Sequence, residues 1–228
     1  MPRSVTAREA TIHDAKGDIF RAMAAIGQAF SSPPRLQMLG LLAHSPRTVE
    51  QLAEMTAQSN ASASSHLKVL RAAGLVETEK VGRHRRCRLA SPSVGALFLA
   101  LQSLGRELLP EVRELVERFF DDPESLSPLT APELAAELEA GRIRVVDLRP
   151  PEEFAAGHIP GAVSLPFPEI AARSAELAAD GEIAAYCRGP YCLMAVNGTS
   201  QLRRLGLPVR RLTFSLPEWR AAGLPVEL

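Results

Sequence analysis

The stretch EIAAYCRGPYCLMAV (182–196) decides how the C-terminal half of this chain is read. Its first residues are short and apolar enough for a buried strand, and its last four begin a helix. Between them an Arg-Gly-Pro turn separates two of the chain's three cysteines. A strand that passes through a tight turn into a helix is one step of an α/β layer. The backbone N–H groups of such a turn, with the positive end of the helix, favour negative charge. A thiol placed there, Cys187, is expected to have a lowered pKa and to act as a nucleophile. Gly189 permits the unusual backbone angles of the loop, and Pro190 stiffens it. Arg188 is placed to attract an anionic substrate or to favour a thiolate.

Other readings of the two thiols stand beside this one. A structural zinc site wants four ligands, commonly in Cys-x2–4-Cys pairs. Here no second pair follows, and His158 is the only other histidine of this half. A permanent disulfide belongs to an oxidising compartment. Two ordinary buried cysteines remain open.

Working outward, RIRVVDLR (142–149) is a second strand candidate, separated from EIAAYC by helical stretches, which implies a parallel sheet. Upstream, FDDPESLSPLTAPE (120–133) holds three prolines among acidic and small residues. It places a linker at 121–128 between domains at 1–120 and 129–228. Charge divides at the same place. The net charge of zero is the sum of +5 over 1–120 and −5 over 121–228, so the two halves suit different partners. With 46% hydrophobic residues the chain can build ordinary cores, and no run of about 18 apolar residues suggests a membrane span. The first residues lack the apolar centre of a secretory signal, and three cysteines do not make a disulfide framework. A cytoplasmic protein with reduced thiols is expected.

The basic half has a different grammar. Residues 14–30 and 34–44 read as helices, with Pro33-Pro34 breaking the chain between them. Thr48 opens a third helix, with Gln51 as its capping-box partner. Ser59 caps a fourth, whose inner face is Ala63, Leu67 and Leu70 and which Gly74 stops. LVETEKVGRHRRCRLA (75–90) gives two extended arms around a Gly82 turn. Residues 92–120 are a longer helical region, with a break expected at Pro110 and a stripe of Leu97, Leu101, Leu104 and Leu108.

Short helix, turn, polar-faced helix and basic hairpin form a winged helix-turn-helix pattern. Its second helix must dock by one apolar stripe and offer a small polar face to the major groove. Asn60, Ser62, Ser65 and His66 lie on or beside that face and can bond base edges or phosphates. Lys68 and Arg71 suit phosphates, and the wing offers Arg83, Arg85 and Arg86 to the backbone or minor groove. Strand alternation puts Cys87 opposite Arg86 and Arg88, as a packing residue.

These residues carry a resemblance. The segment from AFSSPPRL to RRCRLA (29–90), with SSHLKVLRAAGLV (64–76) as its most specific part, resembles the ArsR family of bacterial winged-helix repressors over about residues 20–105. The resemblance implies a homodimer that reads a palindromic double-stranded operator, with terminal helices forming the dimer interface. Many relatives sense metals through a Cys-x-Cys motif beside the reading helix; VEQLAEMTA (49–57) has neither Cys nor His there, which argues against soft-metal sensing at that place. No metal or cofactor is expected.

The acidic half is similar to the rhodanese domain of sulfurtransferases. VVDLRPPEEFAAGHIPGAVSLP (145–166) matches the family's upstream signature, YCRGPYC (186–192) its active-site loop, and LPEWRAAGLPV (216–226) its closing signature. The resemblance implies that Cys187 takes a sulfane sulfur from a donor as a persulfide and passes it to a thiol acceptor. The loop amides of Arg188, Gly189, Tyr191, Cys192 and Leu193, around Pro190, would hold the transferred sulfur. Asp147, Arg149, Glu153, His158 and Trp219 are read as organising and packing residues. Many relatives have glycine where Phe214 and Ser215 stand, which leaves that turn open.

The expected architecture is a winged helix-turn-helix domain, largely α with a β wing, followed by an α/β rhodanese-like domain with a parallel sheet. The expected function is a DNA-binding regulator whose second domain senses reactive sulfur or redox state, with Cys192 closing a disulfide onto Cys187. The alternative is a sulfurtransferase enzyme that carries a DNA-binding domain.

Overall fold

The computed structural model describes residues 7–81, 84–121, 127, 129–177 and 181–228. Internal contacts group the chain into two compact units, 1–95 and 96–228. Of the sequence expectations, the Gly82 turn, Arg83 and most of the 121–128 linker lie outside the described residues.

The first unit runs α1 (Ala7–Phe30), α2 (Pro33–His44), α3 (Val49–Met55), α4 (Asn60–Ala72), β1 (Val76–Val81) and β2 (His84–Leu89). Each start has a local cause. Pro33 begins α2, where a missing N–H costs nothing. Thr48 opens α3 with a reciprocal box: its backbone N–H donates to Gln51 Oε1 at 2.9 Å, and its hydroxyl accepts from Gln51 N–H at 3.3 Å. Ser59 caps α4 by accepting from Ser62 N–H at 3.1 Å. Gly74, at φ 70°, ends α4 and turns the chain into β1. α1 starts before the residue 14 expected from periodicity, because nothing from Ala7 to His13 stops a helix.

β1 and β2 pair antiparallel, with Thr78 opposite Cys87. Arg47 and Cys87 exchange backbone hydrogen bonds of 3.0 and 2.7 Å, which ties the wing to the chain just before α3. Cys87 is buried, 1% exposed, and burial pushes its thiol up. It packs, as strand alternation required.

α5 (Pro92–Leu108) begins in the first unit and runs into the second. α6 (Pro110–Phe119) follows after a break at Leu109, where proline prevents continuation. The second unit continues with α7 (Ala131–Glu139), β3 (Ile143–Asp147), α8 (Pro151–Ala155), β4 (Val163–Ser164), α9 (Ile170–Arg173), β5 (Glu182–Tyr186), α10 (Leu193–Arg204), β6 (Val209–Arg211) and α11 (Leu216–Ala221). The four strands pair in parallel in the order β4-β3-β5-β6.

The period of two along β5 separates two cores. Ala184 and Tyr186 join Leu134, Val145, Ile159, Leu216 and Trp219 on one face. Ile183, Ala185 and Cys187 join Val146, Leu148, Ile170, Ala195 and Leu202 on the other. Cys187 therefore faces the α9–α10 side. α10 lies close against that side through Gly198, where a Cβ would stand 2.8 Å from Leu148 Cδ1 and 3.3 Å from Ile170 Cδ1. Ser215 caps α11 with Glu218 in a capping box, which answers the turn that Phe214 and Ser215 had left open.

Candidate functional site

The reading helix α4 buries Ala63, Leu67 and Leu70 and turns Asn60, Ser65, Lys68 and Arg71 outward. Arg85 and Arg86 are exposed on the wing. Two of the expected polar residues are less available. Ser62 is half-buried and its hydroxyl donates to Gln58 Oε1 at 2.8 Å, so it serves the turn between α3 and α4. His66 is half-buried. Arg88 pairs across the hairpin with Glu77 and Glu79, which takes it out of the free charges of the wing. Arg71 also reaches Thr78 Oγ1 at 3.3 Å and so touches both the helix and the wing.

In the second unit the strand-loop-helix geometry brings Cys192 against the same core that holds Cys187. Gly189 makes this fold-back possible at φ 98°, a region that favours glycine. The turn is closed by Cys192 N–H donating to Gly189 C=O at 3.3 Å. All three cysteines are free thiols.

The two thiols differ in a way the sequence did not reveal. Cys187 directly follows β5 and is 1% exposed. Its shared proton with Cys192 and its burial hold its pKa well above the ordinary thiol value, with the Arg188 guanidinium acting weakly against them. Cys192 is partly exposed and is the N-cap residue of α10. The hydrogen bond from Cys187 pulls it down to about 6 against the cost of burial. Backbone N–H groups of Arg188 and Ala195 and the Arg188 guanidinium act in the same direction. One thiolate is thus favoured within this coupled pair, by the loop amides and the start of α10.

Arg188 is also more committed than an anion trap would be. Its Nε donates to both carboxylate oxygens of Glu153, at 2.9 and 3.2 Å, and Nη2 donates to Glu153 Oε1. Glu153 is fully buried, so this ion pair joins α8 to the loop across 35 positions of sequence. Beneath it lies a second buried pair. Arg149 donates to Asp147 through Nε at 2.9 and 3.0 Å and through Nη2 at 2.5 Å, and also to Gly157 C=O at 2.8 Å. Its guanidinium lies over Tyr186, 5.4 Å from the ring centre. His158 stacks on Phe154 at 3.6 Å, and Trp219 Nε1 donates to Pro225 C=O at 2.7 Å. These residues brace and pack.

One residue that periodicity did not single out holds the far side of the loop. Arg211, the inward member of β6, is 1% exposed. It donates to Pro190 C=O at 3.2 Å and to Phe120 C=O just after α6. Tyr191 meets the Phe120 ring edge-on at 5.9 Å. The loop is therefore gripped from both sides, by Glu153 at Arg188 and by Arg211 and Phe120 at Pro190 and Tyr191. Leu193, the first residue of α10, is 61% exposed. Among the described residues no group of three or more His, Cys, Asp or Glu side chains is arranged to hold a metal ion, and no helix is long and apolar enough to cross a membrane.

Comparison with known proteins agrees with both halves. The bacterial regulatory protein arsR family matches residues 32–78, and the rhodanese-like domain family matches residues 130–222. The HTH-type transcriptional regulator Rv0324 of Mycobacterium tuberculosis is 41% identical over 214 residues, which cover 94% of each chain. Among solved structures, a homodimeric winged helix-turn-helix DNA-binding domain of Mycobacterium bovis is 32% identical, covering 48% of this chain and 94% of that one, with a TM-score of 0.39. A rhodanese-related protein of Thermoplasma volcanium is 24% identical, covering 44% and 96%, with a TM-score of 0.39. A winged helix-turn-helix with a basic wing, followed by a parallel-sheet unit with a cysteine loop, has its full-length counterpart in the mycobacterial regulator, and the chain belongs to the ArsR-family HTH-type transcriptional regulators that carry a C-terminal rhodanese-like domain.

Proposed function

We propose that this regulator handles reactive sulfur at the Cys187–Cys192 pair and adjusts its hold on DNA accordingly. The observation that carries the reading is the placement of two free thiols at the two ends of one loop and against one core, with the loop held to Phe120 by Arg211. Sulfur transfer alone needs one thiol; a second within reach lets a persulfide be displaced as sulfide and replaced by a disulfide. Such a bond reshapes the segment 188–191, and that segment bears on the chain end of α6. The sulfur donor is a polysulfide or persulfide, and the acceptor that resets the site is a thiol.

The DNA-binding form is a homodimer in the cytoplasm. α5 and α6 leave Leu97, Leu101, Leu104, Leu108, Leu115 and Phe119 exposed, more apolar surface than a lone helix pair leaves in water. A second copy covers it, and two reading helices then meet two half-sites.

The test uses full-length protein and a duplex recovered by selection from a random-sequence library. Anisotropy titrations before and after inorganic tetrasulfide are expected to differ by about tenfold in affinity, the usual scale of coupling between sites. Alkylation of both loop cysteines is expected to abolish the response. Equal affinities before and after treatment would refute sensing. Steady thiocyanate formation from thiosulfate and cyanide, with unchanged DNA affinity, would support the alternative, an enzyme tethered to DNA.

A further inference from the structure

We propose that Glu153 sets the class of sulfur donor at this loop: by cancelling the charge of Arg188 it shuts out dianionic donors such as thiosulfate and leaves the site to an uncharged sulfane sulfur, the protonated hydropersulfide RS–SH. The inference rests on the sulfur-handling reading above and names the residue that selects the donor.

The ground is the charge around the loop. Arg188 follows Cys187 directly, and its charge acts on both loop sulfurs. Its guanidinium is nevertheless turned onto protein. Nε donates to both oxygens of Glu153, at 2.9 and 3.2 Å, and Nη2 donates to Oε1 of the same carboxylate. Only 17% of the Arg188 side chain is exposed and none of the Glu153 side chain. A charge-assisted contact of this kind is strong in such surroundings, and an incoming anion would have to displace it. Two neighbouring arginines are turned inward as well. Arg211 is 1% exposed and donates to Pro190 C=O and Phe120 C=O. Arg149 is fully buried on Asp147 and Gly157 C=O. A second carboxyl stands close to the loop at Gly189, where a Cβ would lie 3.8 Å from Glu218 Oε1. It is fixed there because Glu218 Oε2 accepts from Ser215 N–H and Ser215 Oγ, both at 3.0 Å. The side chains that the loop end does expose are apolar or aromatic, Leu193 at 61% and Tyr191 in part.

The two classes of donor ask different things of such a site. With thiosulfate, the protein thiolate attacks the outer sulfur, the S–S bond breaks, a persulfide anion forms and sulfite leaves as a dianion. Three negative charges meet in that transition state, and fixed cations must hold them. With RS–SH, the thiolate attacks the outer sulfur, the S–S bond breaks, the protein gains S–SH, and RS⁻ leaves and takes a proton from water. One negative charge is present throughout, and loop amides suffice for it. The sulfane sulfur passes between two thiols, with no outside oxidant or reductant.

The experiment treats full-length wild type and Glu153→Gln with either thiosulfate or tert-butyl hydropersulfide released in situ, and follows sulfur gained or thiols lost by mass spectrometry of the intact protein at short times. Wild type is expected to load from the hydropersulfide at least about a hundredfold faster than from thiosulfate, the usual worth of one charge-stabilising group. Glu153→Gln keeps an acceptor beside Arg188 but uncovers its charge. The ratio of the thiosulfate rate to the hydropersulfide rate is expected to rise about tenfold, and general damage to the loop would lower both rates without raising that ratio. In wild type, which needs no substitution to fold, added sodium chloride is expected not to slow loading from thiosulfate, because there is no attraction to screen. Equal rates from the two donors in wild type, a thiosulfate rate that falls with salt, or an unchanged ratio in Glu153→Gln would overturn the role of Glu153 while leaving sulfur handling intact. Failure of wild type to load from either donor would overturn the sulfur reading and this inference together.

Discussion

Substitution of Asp147 by alanine tests how the parallel sheet carries its cysteine loop. Asp147 and Arg149 are both fully buried, and the carboxylate accepts from Arg149 Nε, Nη2 and its backbone N–H. Asp147→Ala leaves the guanidinium with Gly157 C=O and the Tyr186 ring as its described partners. Breaking one side of such a pair typically costs about 3–5 kcal/mol, mostly the burden of an uncompensated buried charge. For a unit of this size that lowers the unfolding midpoint by about 10–20 °C. Asp147→Ala/Arg149→Met, which removes both charges, is expected to recover much of the loss. Calorimetry and urea unfolding of the three proteins measure it. A chemical readout accompanies the thermal one: the charge of Asp147 helps hold the Cys187 thiol up, so its removal beside a retained Arg149 should speed alkylation of Cys187 at fixed pH. A single variant within about 1 kcal/mol of wild type, or a double variant no better than the single, would refute this account of the pair.

Four further outcomes are expected. Gly198→Ala places a Cβ 2.8 Å from Leu148 Cδ1 and should cost about 1–3 kcal/mol in urea unfolding. Arg86→Ala should lower the slope of log affinity against log salt by about 0.9 and weaken binding to all duplexes alike if the side chain meets a phosphate. Leu101→Asp and Leu104→Asp should turn a dimer into a monomer by sedimentation, with loss of operator binding at nanomolar protein. Cys192 is a thiolate above its lowered pKa, so its alkylation rate should fall as pH drops through about 6, whereas an unperturbed thiol would lose its rate two or more units higher.

Much of the scaffold was legible because it depends on neighbours in sequence. Thr48 with Gln51, Ser59 before α4, Gly74 after it and Pro110 at the start of α6 act over one to four residues, and each appears where the reading placed it. The inner face of α4 and the alternation around Cys87 are equally local. Both strand candidates of the second unit pair in parallel, as the helical stretches between them implied. What escaped depends on distance and depth. Arg188 finds Glu153 35 positions away, and no periodicity announces that. Arg211 and Arg210 are adjacent in sequence, yet the first is buried against Pro190 and Phe120 and the second faces outward to Glu182.

The contact at Gly198 bears on how the loop can respond. One cysteine is fixed by the end of a strand inside a parallel sheet. The other heads a helix that lies so close to Leu148 and Ile170 that a single methyl group would not fit between them. Two such posts have no slack. Were the proposed bond to form between the sulfurs, the strain would fall on the four-residue bridge 188–191. On one side that bridge is tethered through Arg188 to a buried carboxylate; on the other it leans on Tyr191 and the ring of Phe120. The absence of a side chain at one position of α10 thus holds one end of the loop firmly, and any strain from the proposed bond falls on a bridge that leans on Phe120.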